Sequence, residues 1–361
     1  MKPRSLLLPI QIASALLALG LGAVTSAHAQ SAPLPPALRA AVMSGNSQQI
    51  AQAIAVLSGG NPAQAAALAS SVVSAAERLV ATNPRAAVAV AQAAVQAIQS
   101  NGVQSAAPTQ IQSVLTTAAR IFVNPQVTQA DPAGAAALAT ATVQASTATN
   151  NPALTAQIAT QATTTAESIL ASNPSAAVQV ASAAVNAVNS TSVTSASPSA
   201  ALQVATTASR IIANPSAQAA SPSVVGQIAS AVATVAATPA VYQTSPSAAI
   251  AVMSNAYAAA SSSPVSATGP SALVSVTQTL TQAQASNGLN ASNSSNSAQI
   301  AAILKPSPQG QAGPNTQPTA NPDSSTNQQN TQNQQNNSNP TNNSGTPTVD
   351  PTQSTSPAGP R

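Results

Sequence analysis

Residues 83–100 read NPRAAVAVAQAAVQAIQS, and residues 173–190 read NPSAAVQVASAAVNAVNS. Val88, Ala91, Val95 and Ile98 in the first stretch fall at i, i+3, i+7 and i+10, and Val178, Ala181, Val185 and Val188 repeat the offsets in the second. That spacing lines apolar groups along one stripe of an α-helix. Asn83 and Asn173 stand where a side chain can accept the first free backbone N–H groups of a helix. Pro84 and Pro174 follow at the first helical position, where a missing N–H costs nothing. Each stretch therefore reads as one capped amphipathic helix.

The likeness extends on both sides. Residues 61–132 align with 151–222 without a gap, and 34 of those 72 positions are identical. Asn61-Pro62 and Asn151-Pro152 open the two copies, and Asp131-Pro132, Ser197-Pro198, Ser221-Pro222 and Ser245-Pro246 read as further helix starts of the same kind. The next stripe of the first copy is Ile111, Val114, Leu115, Ala118 and Ile121, matched by Ala201, Val204, Ala205, Ala208 and Ile211. The first proline of each unit stands at 62, 84, 108, 132, 152, 174, 198, 222, 246 and 270. Such spacing predicts about 15 helical residues plus a turn per unit, a rod of about 22 Å. Short turns place successive helices antiparallel. Units this small bury their apolar faces on their neighbours.

The predicted fold is all-α: an Ala-rich antiparallel helical repeat array, an α-solenoid or an elongated bundle. The Val and Thr content would also suit a β-solenoid, but proline spacing and helical periodicity argue against it. Alanine, the main apolar residue, has the highest helix propensity and lets helix axes approach closely. Each alanine buries little surface, so stability should be spread thinly along the array.

Five segments follow from these patterns. Residues 1–29 read as a signal peptide: Lys2 and Arg4, a mostly apolar run from Leu6 to Val24, and the small-x-small pattern Ala27-His28-Ala29. Residues 30–60 predict two short helices capping the array, the second started at Asn46 or Ser47 and stopped by Gly59-Gly60. Residues 61–285 form the repeat domain. Residues 286–305 are a transition holding one short helix. Residues 306–361, rich in Asn, Gln, Pro, Ser and Thr, cannot bury enough surface to offset ordering and read as a disordered tail.

Composition narrows the function classes. Only 4% of residues are charged, 1% are aromatic, and there is no cysteine or tryptophan. The one histidine, His28, lies in the leader. Without His or Cys, the commonest general base, transition-metal ligand and thiolate nucleophile are all missing from a mature chain. A Ser-Lys pair would have to use Lys305, which directly precedes Pro306. The sequence thus predicts no enzyme, no cofactor and no metal site. Basic residues are scattered singly, whereas nucleic-acid binding needs them clustered to displace counterions from phosphates; no nucleic-acid partner is expected. No segment after the leader offers about eighteen consecutive strongly apolar residues, so no membrane span is expected once the leader is cleaved.

Two charged positions recur in the copies: Glu77 matches Glu167, and Arg120 matches Arg210. Within each copy they stand 43 residues apart, about one helix pair. They could form a charge row for a ligand, but a structural role is favoured, either a salt bridge tying alternate helices or simply two solvated side chains, alongside the structural caps Asn61, Asn83, Asn151 and Asn173. Phe122 reads as packing, and Tyr242 and Tyr257 as partly buried. The leading functional expectation is an exported, non-catalytic structural or interaction-mediating protein of a bacterial envelope, surface or matrix, secreted or periplasmic. Its partner would be an unidentified protein or surface, or another copy of itself. The alternative is a binder of a repetitive surface such as ice or glycan through a flat Ala/Thr face, motivated by Thr116-Thr117, Thr163-Thr164-Thr165 and Thr206-Thr207.

Overall fold

The computed structural model of the chain describes residues 34–305. Twenty helices and no strand occur among them. Helices α1 (Pro36–Ser44) and α2 (Ser47–Ser58) come first. The first copy of the duplication holds α3 (Pro62–Leu79), α4 (Pro84–Ile98), α5 (Asn101–Ala106), α6 (Pro108–Phe122) and α7 (Pro125–Ala130), and ends on the first residue of α8 (Pro132–Thr147). The second repeats that order as α9 (Pro152–Ile169), α10 (Pro174–Val188), α11 (Thr191–Ala196), α12 (Pro198–Ala213), α13 (Pro215–Ala220) and α14 (Pro222–Ala237). Then come α15 (Pro239–Thr244), α16 (Pro246–Ser261), α17 (Ser263–Thr268), α18 (Pro270–Ala285), α19 (Asn287–Ser292) and α20 (Asn296–Leu304). The leader and the Asn/Gln/Pro-rich tail, with the readings made of them, lie outside the described residues.

The long helices form two rows. One runs α2, α4, α8, α10, α14, α18, and the other α1, α3, α6, α9, α12, α16, α20. Each long helix packs on its successor in the other row and on its neighbour in its own row. The first and last long helices, α3 and α18, share no substantial packing, so the array is open and does not close into a barrel of helices. The apolar stripes read from sequence form the shared core: Val88, Ala91, Val95 and Ile98 and their copies Val178, Ala181, Val185 and Val188 are all buried. Phe122 and Tyr242 are fully buried, and Tyr257 is half-buried.

The connections differ from expectation. Where prolines stand 24 residues apart, the gap holds a six-residue helix as well as the long one. Where they stand 20 or 22 apart, from 62 to 84, 132 to 152 and 152 to 174, the short helix is absent. The third residue of every short helix is apolar and buried: Val103, Val127, Val193, Ala217, Val241, Val265 and Leu289. One anchor in six residues is too little to register as a periodic stripe. The rhythm also runs one unit beyond Ala285, because α19 anchors on Leu289 and α20 packs against α16 and α18.

Caps divide by residue type. The Asn83 and Asn173 side-chain oxygens accept from the N–H groups of Ala86 and Ala176 at 3.1 and 3.2 Å. Asn61 accepts from Ala63 and Gln64, Asn151 from Leu154, and Asp131 from Gly134. Ser197, Ser221 and Ser245 accept no such bond, which corrects their reading as side-chain caps. At Ser197 and Ser221 the backbone N–H instead closes the preceding short helix, on Val193 and Ala217 carbonyls at 2.8 and 3.0 Å.

Candidate functional site

The recurring charges find one another. Arg120 meets Glu77 with Nε–Oε1 at 3.1 Å and Nη2–Oε2 at 3.2 Å, and Arg120 also donates to the Thr117 hydroxyl at 3.3 Å. Arg210 meets Glu167 at 3.0 Å. Each pair ties neighbours within one row, α3 to α6 and α9 to α12. The side chains remain 41–59% exposed, so water screens them and each pair contributes under ~1 kcal/mol. Within each copy the opposite charges are spent on each other, so they do not line up as a charge row facing a ligand.

A different site is built twice. One cleft of about 550 Å³ is lined by Asn151, Pro152, Thr155, Asn186, Ala187, Ser190, Ser192 and Val193. Another, of about 500 Å³, is lined by Asn61, Pro62, Ala65, Gln96, Ala97, Ser100, Gly102 and Val103. These are the same eight alignment positions, ninety residues apart. The fourth wall is the preceding helix of the α2–α18 row, through Ala51, Ala55 and Ser58 of α2 in one cleft, and through Val143, Thr147 and Asn150 around α8 in the other.

The local cause is a direct connection into the first long helix of each copy, with no six-residue helix between α2 and α3 or between α8 and α9. At residues 59–61 and 148–151 the chain passes straight from one long helix to the next, and the neighbouring short helix, α5 or α11, overhangs a gap. Gly59 and Gly60 take the left-handed backbone that this tight passage needs, and Asn150 does so at φ 52° in the second cleft; asparagine is one of the few non-glycine residues that tolerates it.

The lining is neutral. Carboxamides, hydroxyls, prolines and small aliphatic groups line both clefts, with no charged or aromatic side chain. Asn151 is occupied with its cap, and Thr155 donates to the Ser146 and Asn151 carbonyls at 3.0 and 3.1 Å. The carboxamides of Gln96 and Asn186 reach the cleft from equivalent positions, and both residues are exposed. A primary carboxamide presents donors and an acceptor together, the pattern that matches a peptide bond or another neutral hydrogen-bonding group.

The threonines that suggested a flat surface behave otherwise. Thr117, Thr163, Thr165 and Thr207 are buried, leaving Thr116 and Thr164 exposed and Thr206 half-buried. Thr163 and Thr165 donate to carbonyls of their own helix.

One polar cluster gave no sign in the sequence. Fully buried Tyr242 donates to the Asn296 side-chain oxygen at 2.7 Å, and Asn293 donates to the tyrosine oxygen at 3.2 Å. Asn296, also fully buried, donates to the Ala283 carbonyl and to Asn290 at 3.0 and 2.9 Å. Burial raises the Tyr242 pKa above its ordinary value, and the bond from Asn293 offsets part of the rise. The partners stand 54 residues apart, which no local pattern could reveal.

Among the described residues no group of three or more His, Cys, Asp or Glu is gathered, and no helix is long and apolar enough to cross a membrane. Comparison with protein-family models, with curated proteins and with solved structures gives no match.

Proposed function

We propose that the chain is an exported, non-catalytic repeat protein of a bacterial envelope, surface or matrix that mediates interactions through its array. The observation that carries this reading is the duplicated cleft. The two copies differ at about half their aligned positions, yet Asn, Pro, Ala, Ser and Val recur identically at five of the eight shared lining positions, and an amide recurs at a sixth. Two neutral, hydrogen-bonding clefts on one rigid array suit a partner engaged at two points, where linkage raises avidity beyond either contact. The lack of His and Cys in a mature chain supports a binding role over catalysis. The alternative of a flat Ala/Thr face for ice or glycan has less support, because four of the seven threonines that suggested it are buried.

Two experiments separate export from binding. N-terminal sequencing of the protein recovered from its host should begin at Gln30; a retained Met1 would end the export reading. A photo-crosslinking residue placed at Gln96, and separately at Asn186, should trap the same partner in cells. Crosslinks at neither position, or different partners at the two, would remove the duplicated-cleft reading.

A further inference from the structure

Every interior helix of the α2–α18 row turns one stripe toward the next helix of that row. Four residues after its first proline, each carries a buried residue: Val88, Ala136, Val178 and Gly226. Eleven residues after that proline come Val95, Val143, Val185 and Ala233, also buried. Gly226 shows what the stripe faces, since a Cβ there would lie 2.9 Å from the Ala272 Cβ of α18. Gln92, between the two positions, donates to the Gly134 carbonyl of α8 at 3.3 Å.

In α18 the same stripe meets no further helix of the row among the described residues. Val274, Gln278, Thr281 and Ala285 occupy the register and all four are exposed, Val274 by 55%. At the other end of the row, Ala51, Ala55 and Ser58 of α2 face the cleft shared with α4. Helical geometry puts Gln49, Ala53 and Val56 on the opposite side, and Val56 is 79% exposed. The exposed large aliphatic side chains among the described residues are Met43, Val56 and Val274, all on the two ends of the array. Terminal units of repeat arrays ordinarily carry a polar outer face that stops stacking. Here the two stripes carry carboxamide, hydroxyl and aliphatic groups and no charge.

We propose that the α18 stripe of one copy docks on the Gln49–Val56 side of α2 in a second copy, continuing the row across molecules. The α14–α18 packing is the template for register and row; the α18 stripe is bulkier than that of α14, and its Val274 stands where Val88 and Val178 stand in α4 and α10. Because the two faces differ, the contact is heterologous and leaves a free end at each addition, so it propagates and does not close at a dimer. The inference rests on the reading of the chain as an interaction-mediating array. It is tested on purified protein alone, so its failure leaves the export and cleft experiments standing.

The test is sedimentation velocity of the full chain across a wide concentration range. The expected weight-average mass rises with concentration and passes the dimer without a plateau. Val274→Asp and Val56→Glu should each abolish the rise while leaving the melting temperature unchanged, since both sites are exposed. An equimolar mixture of the two variants should form a dimer and nothing larger, because each supplies the one face the other has lost. A wild-type chain that stays monomeric at all concentrations overturns the proposal. So does a Val56→Glu chain that still associates, which would mean that α18 faces pair with each other. Association of a chain ending at Lys305, when the full chain does not associate, also overturns it and assigns the face to the tail.

Discussion

Single residues decide the tightest points of this molecule. At Gly226 two effects oppose each other. Replacing glycine in a helix interior gains about 1 kcal/mol of propensity with alanine and less with β-branched valine. A side chain there must also displace Ala272 and Val265, whose atoms would lie 2.9 and 3.3 Å from the new Cβ; overpacking of that kind costs about 1–3 kcal/mol. Gly226→Val should therefore lower the denaturation midpoint, and an unchanged or raised midpoint would show that the α14–α18 interface can spread. Tyr242 is a second such point. Among the described residues its hydroxyl is the one donor to the buried Asn296 oxygen, so Tyr242→Phe leaves that acceptor bare at about 1–3 kcal/mol. Burial raises the tyrosine pKa in the folded state. A raised folded pKa means that its contribution is complete below the unfolded value near 10 and is lost as pH climbs through the folded one. Denaturation midpoints of the wild type should fall above pH ~10 more steeply than those of Tyr242→Phe. Parallel pH profiles would show that the phenol does not drive the alkaline loss.

At the scale of elements, the ion pairs and the short helices do different work. Glu77–Arg120 and Glu167–Arg210 cross between alternate long helices on an exposed face. Single charge reversal at either partner should lower the melting temperature, and reversing both should restore it, with a coupling under ~1 kcal/mol that shrinks as salt rises. Absence of rescue would show that the side chains do not meet in solution. The short helices instead seal the edges of the array with one buried anchor each. Truncating Val241 to Ala removes two methyl groups from a fully buried site, a loss of about 2 kcal/mol at ~0.8 kcal/mol per carbon plus the cavity left behind. The same register already holds Ala217 in α13, so the fold should survive and only the midpoint should move.

For the whole molecule, stability is a sum over neighbours. Packing reaches one or two helices along the array and no further, so distant parts are coupled only through the helices between them. Native-state hydrogen exchange should then resolve separate openings. Gly226→Val should lower protection in α14–α18 and leave α3 and α4 nearly unchanged. A uniform drop across all helices would mean that the array unfolds as one unit. The same linear design gives the molecule two ends, and the α18 stripe is where an interior interface meets solvent.

Sequence by itself determined the helical class, the starting proline of every long helix from α3 to α18 and the stripes that α4, α6, α10 and α12 bury. Those depend on patterns within a window of some fifteen residues: a capping residue, a proline, and apolar groups every three to four positions. It also singled out Glu77 with Arg120, and Glu167 with Arg210, because duplication repeats them at a fixed offset, and the structure shows that each pair meets. Only the tertiary structure decided that the 24-residue units contain a second, short helix, whose single anchor is too brief to form a pattern. Only it showed that a direct connection into each copy opens a cleft twice, that Tyr242 reaches Asn296, and that Val274 stands exposed at an interface register on which no described helix packs. The physical reason is common to all four: each depends on which surfaces of remote helices come together, and a row of helices sets that through packing rather than through any local preference of the chain.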